Sequence, residues 1–210
     1  MLTLYSYPEL FGVADNNGYG LKVFAFLRLA GLAFRHEHIF DASHAPRGQL
    51  PYIVDGTETI GDSDSIIAHL IRKYRLTIDD GLTGAQRDMT HLVTRMLDDL
   101  YWVMSYSRWQ DERFWPLFRD ALIAQHPGLT EAGLQKAREF NFQRYHFQGI
   151  GRYSPDAPTR AAWRICRCWP ISSRRAAMCT ERSQPASMPA FMDSSPISTS
   201  SRLTPRFGSS

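Results

Sequence analysis

The order of short periodic segments in the first 76 residues most constrains how this chain can fold. Residues 2–7, "LTLYSY", are apolar and rich in strand-forming side chains. Residues 21–31 repeat apolar side chains at helical spacing and end in Gly31, a residue typical of the position just past a helix. Residues 33–40, "AFRHEHIF", alternate apolar and polar side chains like a second strand. A strand, a helix and a strand within about 40 residues favour a parallel crossover.

A hairpin and a capped helix complete this region. The segments "PYIVDG" and "TETIG" predict two strands joined by a turn at Asp55 and Gly56. Asp62 or Ser63 then caps a helix whose apolar residues recur at helical spacing; they are Ile66, Ile67, Leu70, Ile71 and Tyr74. The order β-α-β, connection, β-β-α predicts an α/β thioredoxin-like domain over residues 1–76.

Residues 83–156 have a helical pattern throughout. Three helices are predicted, over residues 85–109, 115–126 and 130–149, the last beginning at a Thr130 cap and ending near Gly149. The chain therefore combines an α/β domain with an all-α C-terminal domain. We find neither a run of about 18 apolar residues nor the basic start of a signal peptide, so we expect a soluble cytoplasmic protein that binds no membrane.

Three separate motifs resemble the glutathione S-transferase (GST) superfamily. They are "LKVFAFLRLAGL", "GQLPYIVDG" and "IGDSDSIIAHLIRKY", and they occur in the family's order. The chain is most similar to bacterial members related to the metaxin and failed-axon-connections branch. The resemblance implies the GST fold, glutathione as co-substrate without a metal, a small apolar electrophile and a homodimer active in detoxification.

The resemblance also implies a glutathione site in the first domain. Leu50-Pro51 matches the family's cis-proline loop, where the Leu50 backbone would pair with the cysteinyl unit of glutathione. Asp62, Ser63 and Asp64 match the acidic-Ser segment that grips the γ-glutamyl group, and a helix N-terminus suits a carboxylate there. The alternatives are a trans proline that opens a strand and an Asp62-Ser63 pair that only caps the helix.

Catalysis in this family requires a donor that holds glutathione as its thiolate, because the thiolate is the nucleophile. Where similar members carry Ser-Pro-Phe or Cys-Pro-Phe, this chain has Asn17, Gly18 and Tyr19. Asn17 can donate an amide N–H to sulfur but cannot form a mixed disulfide. Tyr7, at the end of the first strand, is the second candidate, although a strand tyrosine is more often part of a core.

An aromatic segment of the helical domain is the candidate electrophile pocket. It contains Tyr101, Trp102, Tyr106, Arg108 and Trp109. These residues cannot all share one helix face, so some pack in the core and others face the cleft. Packing between the domains explains the same aromatic cluster equally well.

The segment 157–210 differs from the rest of the chain. It has a net charge of +6, against −3 for residues 1–156, and contains all three cysteines, Cys166, Cys168 and Cys179. It is an irregular basic tail that could be disordered, a Cys-x-Cys metal or redox element, or an out-of-frame translation. Shifting a GC-rich reading of its codons gives strings like the last helices of the family. We therefore hypothesise a frameshift near residues 156–158, which would leave the C-terminal domain incomplete.

Two functions follow from these observations. The first is an enzyme that conjugates glutathione to an electrophile or reduces a peroxide. The alternative is a non-catalytic binding or scaffold module, which the Asn at the helix-start position favours. Nucleic-acid binding is not expected, since the basic tail lacks ordered aromatic platforms.

Overall fold

The N-terminal domain is a mixed four-stranded sheet with two helices, as given by a computed structural model that describes residues 1–167. Its elements are β1 (Leu2–Ser6), α1 (Gly18–Leu29), β2 (Arg35–His38), β3 (Tyr52–Asp55), β4 (Glu58–Gly61) and α2 (Ser63–Tyr74). The strand order is β2-β1-β3-β4, with β1 parallel to β2 and the other two pairings antiparallel. The predicted thioredoxin-like architecture is confirmed.

One face of the sheet is buried under both helices. Leu2 and Leu4 alternate along β1, so their side chains lie on the same face, and Leu4 is in register with Ile53 of β3. These residues form one core with apolar residues from both helices, namely Val23, Leu27, Ile66 and Leu70. On the other face, the Tyr5 and Tyr52 rings stack with centroids 4.6 Å apart.

Caps set the two helix starts. Asn17 Oδ1 accepts a hydrogen bond from the Tyr19 amide at 2.9 Å, so α1 begins at Gly18, before the apolar pattern starts at Leu21. Asp62 Oδ1 accepts from the Ser65 amide at 3.0 Å and caps α2. Capping therefore extends α1 beyond its apolar stripe.

The buried stripe of α2 differs from the predicted one at its C-terminal end. Tyr74 is exposed, and its hydroxyl donates to Asp55 Oδ1 at 2.9 Å. His69 is buried instead, with Nε2 3.2 Å from Asp55 Oδ2. Asp55, the last residue of β3, is thus a polar centre that holds α2 against the sheet.

The helical domain contains α3 (Gly84–Trp109), α4 (Trp115–Gln125) and α5 (Glu131–Gln148), as predicted. Thr83 and Gln86 form a reciprocal capping box at the start of α3. Thr130 caps α5 by accepting from the Gly133 amide at 3.1 Å, and Gly149 ends it with a φ of 107°. The buried core of this domain comprises Trp115, Phe118, Leu122 and Leu134, together with Leu10 from the loop after β1.

The chain is helical over residues 156–167, where the sequence predicts the beginning of an irregular tail. Ala and Arg residues favour helix here, and Pro158 lies in the first turn, where proline is tolerated. The rest of the tail, with Cys168, Cys179 and the hypothesised frameshift product, lies outside the described residues. Within residues 1–167, none of the helices has the length and apolarity needed to cross a membrane.

Candidate functional site

Two adjoining cavities lie between the sheet domain and the helices. The first, which we call the polar cavity, has a volume of about 650 Å³ and is lined mainly by residues of the sheet domain and α3. The second, the apolar cavity, has a volume of about 400 Å³ and is lined mainly by helical-domain residues. Five residues line both cavities and define the seam between them: Tyr7, Asn17, Tyr101, Phe140 and Arg144.

Asn17 lies at the seam and at the N-terminus of α1. Because its Oδ1 accepts from the Tyr19 amide, its Nδ2 is left as a donor beside the cavities. The α1 N-terminus adds unpaired backbone N–H groups and a partial positive charge. This arrangement suits an anion such as a thiolate.

Tyr7 also lies at the seam, and burial together with the neighbouring Tyr101 raises its pKa above the ordinary value. Its hydroxyl therefore stays protonated at neutral pH and can act as a hydrogen-bond donor. The structure brings both predicted catalytic candidates, Asn17 and Tyr7, to one place.

A buried carboxylate stands behind Asn17, and the sequence analysis missed it. Asp15 is 1% exposed, and its Oδ1 accepts from the Asn17 amide at 2.7 Å. Its Oδ2 has no hydrogen-bond partner within residues 1–167 and packs against the Cα of Gly20. Burial raises the pKa of Asp15 to about 7, against the opposing effects of the Asn17 amide, the Ser6 hydroxyl and the charge of Arg108.

A histidine reaches the same region from β2. His36 Nε2 lies 2.8 Å from the hydroxyl of Ser6, which is fully buried at the end of β1. Burial and the adjacent His38 lower the pKa of His36 to about 4, so the ring is neutral at physiological pH. Its ring packs against Phe24 and lies beside the Ser6 hydroxyl.

The predicted glutathione residues all line the polar cavity. The Leu50-Pro51 peptide bond is cis, as expected from the resemblance. Ser63 is buried at the first position of α2, where its backbone N–H and that of Asp64 have no partner within the helix. Asp62 both caps α2 and faces the cavity, so the capping role and a binding role are compatible.

Charges of both signs surround the polar cavity. Asp64 forms ion pairs with Lys22 of α1 and Arg95 of α3, and Arg95 also pairs with Asp98 at 2.7 Å. Although burial raises it, the contacts with Lys22 and Arg95 hold the pKa of Asp64 below its ordinary value. Such a mixed surface suits a zwitterionic ligand, and no sequence pattern around Arg95 indicates its contribution.

Four of the five predicted pocket residues line a cavity. Tyr101 and Trp102 line the polar cavity, with Tyr101 at the seam, while Arg108 and Trp109 line the apolar cavity. Tyr106 was wrong as a pocket residue, because it is 3% exposed and packs against Tyr145 on the core face of α3. The helical period of α3 places these residues on different faces of the helix, as the sequence predicts. Only the position of α5 shows which of these faces is buried in the core.

Proteins with related sequences include a glutathione S-transferase and the protein Failed axon connections. The sequence pattern of the glutathione S-transferase N-terminal domain matches residues 19–114. The isoprene-epoxide–glutathione S-transferase of Rhodococcus sp. strain AD45 is 30% identical over 164 residues, which cover 74% of this chain and 69% of that protein. Failed axon connections of Drosophila melanogaster is 34% identical over 109 residues, 51% of this chain, and the match spans 26% of that longer protein.

Two of the solved structures that match this chain are a beta-etherase and a glutathione transferase. The beta-etherase LigF from Sphingobium sp. strain SYK-6 shares 17% identity over 78% of this chain and 68% of its own, with a TM-score of 0.47. Human glutathione transferase theta-2, in complex with glutathione, shares 16% identity over 90% of this chain and 94% of its own, with a TM-score of 0.39.

Proposed function

The chain belongs to the glutathione S-transferase family, and we propose that it binds glutathione in the polar cavity and conjugates it to a small apolar epoxide held in the apolar cavity. The observation that carries this proposal is the seam, where Asn17 lines both cavities and its Oδ1 is occupied by the Tyr19 amide, which leaves its Nδ2 as the free donor. Residues 1–76 then serve as the glutathione-binding domain, and residues 83–156 supply the electrophile side.

Glutathione would be held by backbone groups as much as by side chains. The γ-glutamyl carboxylate would lie against the N-terminus of α2, beside Ser63 and the unpaired N–H groups of its first turn. The backbone of Leu50 would pair with the cysteinyl unit, and the ionised carboxylate of Asp64 or Asp62 would face the ligand's ammonium group. These positions extend the ligand from α2 towards α1.

The sulfur would then lie at the start of α1. There the N–H of Asn17 Nδ2 and the helix dipole favour the thiolate over the thiol, with the Tyr7 hydroxyl as a further donor. Asn17 holds no charge and no nucleophile, so it lowers the thiol pKa by hydrogen bonding alone. Conjugation needs only this lowering of the thiol pKa, because the thiolate itself attacks the electrophile.

The apolar cavity determines which electrophile is accepted. Its walls carry Met104, Phe118, Leu122 and Leu134, and most of its lining surface is apolar, so a small hydrocarbon body is favoured. The relative from Rhodococcus is named for isoprene epoxide, which is a small apolar epoxide. We therefore choose epoxides ahead of peroxides as the first substrates to test.

Calorimetry of the purified chain with glutathione tests the binding step. Ser63→Ala should weaken glutathione binding about ten-fold, since it removes a buried donor at the carboxylate site. Ser65→Ala is the matched control, because Ser65 is exposed and lies two residues further along the same turn. Equal affinities for both variants and the wild type would contradict the proposed site.

Conjugation with an apolar epoxide tests the chemical step. Asn17→Asp keeps a good helix cap but places a negative charge beside the sulfur, so the rate should fall at least ten-fold. Asn17→Ser keeps both a cap and a neutral donor and should remain active. Glutathione binding without turnover of any epoxide or other electrophile would instead favour the non-catalytic binding module.

The assembly and location are proposals of the same kind. We expect a cytoplasmic homodimer, and sedimentation equilibrium of the full chain measures the oligomeric state directly. A monomer at micromolar concentration would contradict that expectation.

A further inference from the structure

Arg144 is the one seam residue that carries a charge. Of the five residues that line both cavities, three are aromatic and one is an amide, so Arg144 alone can neutralise an anion where the cavities meet. Substrate atoms that react with a sulfur beside Asn17 must pass through this seam. A cation at this point therefore lies close to the reacting atoms.

The guanidinium of Arg144 is held in place without being neutralised. It lies over the Trp102 ring at 5.4 Å and over the Phe140 ring at 6.0 Å, and its Nη1 donates to Asn141 Oδ1 at 2.8 Å. Within residues 1–167 it has no carboxylate partner, unlike Arg95, which pairs with Asp64 and Asp98. Its one hydrogen bond and its two aromatic contacts are thus with neutral groups, and further N–H donors remain for a ligand.

The other arginine of the apolar cavity is already engaged. Arg108 is partly buried and donates to the backbone carbonyl of Asn16, which ties α3 to the loop before α1. Its position explains how that loop is held. Arg144 has no such structural bond to the sheet domain, so its charge at the seam has no assigned role.

We propose that Arg144 stabilises the negative charge that develops on the substrate oxygen when glutathione opens an epoxide; this rests on the proposed function. The thiolate sulfur attacks one epoxide carbon, a C–S bond forms, and the C–O bond breaks with its electron pair going to oxygen. The guanidinium N–H groups bind that oxygen until it takes a proton from water. The proton lost by the glutathione thiol balances the one gained, and the product is a hydroxy thioether.

The surroundings make this charge effective. A guanidinium held against aromatic rings beside an apolar cavity needs little rearrangement during the reaction, and water screens it less than at an open surface. Removing one such donor from an oxyanion site typically lowers kcat by about 10²- to 10³-fold. Because Arg144 is partly exposed, we expect an effect at or just below the lower end of that range.

Three variants of the full chain test the proposal. Arg144→Gln removes the charge and keeps a polar side chain, Arg144→Lys keeps the charge without the planar fork, and Lys136→Gln removes an exposed charge from the same helix as a control. Styrene oxide is the epoxide, and calorimetry gives the glutathione Kd of each variant. Thermal unfolding verifies that each variant is folded.

The expected result is a split between catalysis and glutathione binding. Arg144→Gln should lower kcat for styrene oxide roughly 30- to 100-fold, Arg144→Lys less than ten-fold and Lys136→Gln less than two-fold, with the glutathione Kd unchanged in all three. The proposal is overturned if folded Arg144→Gln keeps kcat within two-fold of the wild type, or if its loss appears as weaker glutathione binding. A wild-type chain that binds glutathione and opens no epoxide removes the proposed function and this inference together.

Discussion

Replacing Asp15 by Asn should make the stability of this protein much less dependent on pH. The Asp15 carboxyl is 1% exposed, and one of its oxygens has no hydrogen-bond partner within residues 1–167, so its charged form is poorly solvated. Burial raises its pKa from 3.8 to about 7. Asn has nearly the shape of the protonated carboxyl and does not ionise, so the variant keeps the contacts and loses the titration.

The direction of this pH dependence is set by whether the folded or the unfolded chain holds the proton of Asp15. The folded pKa is above the unfolded one, so between about pH 4 and pH 7 the folded state holds a proton that the unfolded chain has lost. The free energy of unfolding therefore falls as pH rises, by about 1.4 kcal/mol per pH unit, and levels off above pH 7. Over the full shift this amounts to about 4 kcal/mol.

Urea unfolding at several pH values measures the effect. From about pH 5 to pH 7 the free energy of unfolding of the wild type should fall by about 2.7 kcal/mol, and it should then stay level up to about pH 8.5. The Asp15→Asn variant lacks this decrease, so over the same range it should gain about 2.7 kcal/mol relative to the wild type. His36 has the opposite effect, because its lowered pKa of about 4 makes stability rise with pH up to its unfolded pKa. His36 is present in both proteins, so it cancels from the difference.

Asp88→Asn is the matched control, since Asp88 is an exposed carboxylate on α3. Its difference from the wild type should stay constant across the same pH range. If the difference between Asp15→Asn and the wild type is also constant, Asp15 ionises normally in the folded state and the reasoning from its burial is wrong.

Three further substitutions have defined outcomes. Gly20→Ala should destabilise the fold by about 2 kcal/mol or more in urea, because the new Cβ would lie 1.5 Å from Asp15 Oδ2, whereas Gly18→Ala meets no atom and should not. Tyr145→Phe should cost about 1–2 kcal/mol by removing the buried 2.7 Å hydrogen bond to Ser105, and adding Ser105→Ala should cost less than the sum of the single changes. Asp55→Asn should cost about 2 kcal/mol at pH 7 and nothing at low pH, since hydrogen bonds from its neighbours lower the pKa of Asp55 despite burial; thermal melts at both pH values measure this.

The elements of the sheet domain were predictable because their signals are local. The apolar period of α2, the turn that follows Asp55 and the cap at Asp62 are each readable within a few residues. The conformation of the loop before α1 was not predictable in this way, since its turn-forming residues indicate only that the chain turns there. That Asp15 within it is buried depends on α3, whose Arg108 holds the loop from 92 positions away.

The site was predictable only where a short motif determines the local backbone conformation by itself. The segments at Leu50-Pro51 and at Ser63 bring backbone groups to the polar cavity wherever the fold forms. The apolar cavity arises instead where α3 and α5 meet, and helical period alone assigns no partner to either face. Tyr106 was therefore misplaced and Arg144 missed, although both lie on helices whose existence was correctly predicted.

The position of Asp15 also shapes what Asn17 can do. An ionised carboxylate bonded to the Asn17 amide would repel a thiolate near the same residue, whereas the protonated form leaves the N-terminus of α1 positive. Because the pKa of Asp15 is about 7, both forms exist near neutral pH, and thiolate formation and Asp15 ionisation oppose each other. An Asn at the helix start is a weak thiolate donor, so this repulsion weighs more here than it would beside a Ser or Cys. If the proposed function holds, the proton on Asp15 is part of the chemistry of this site as well as of the stability of the fold.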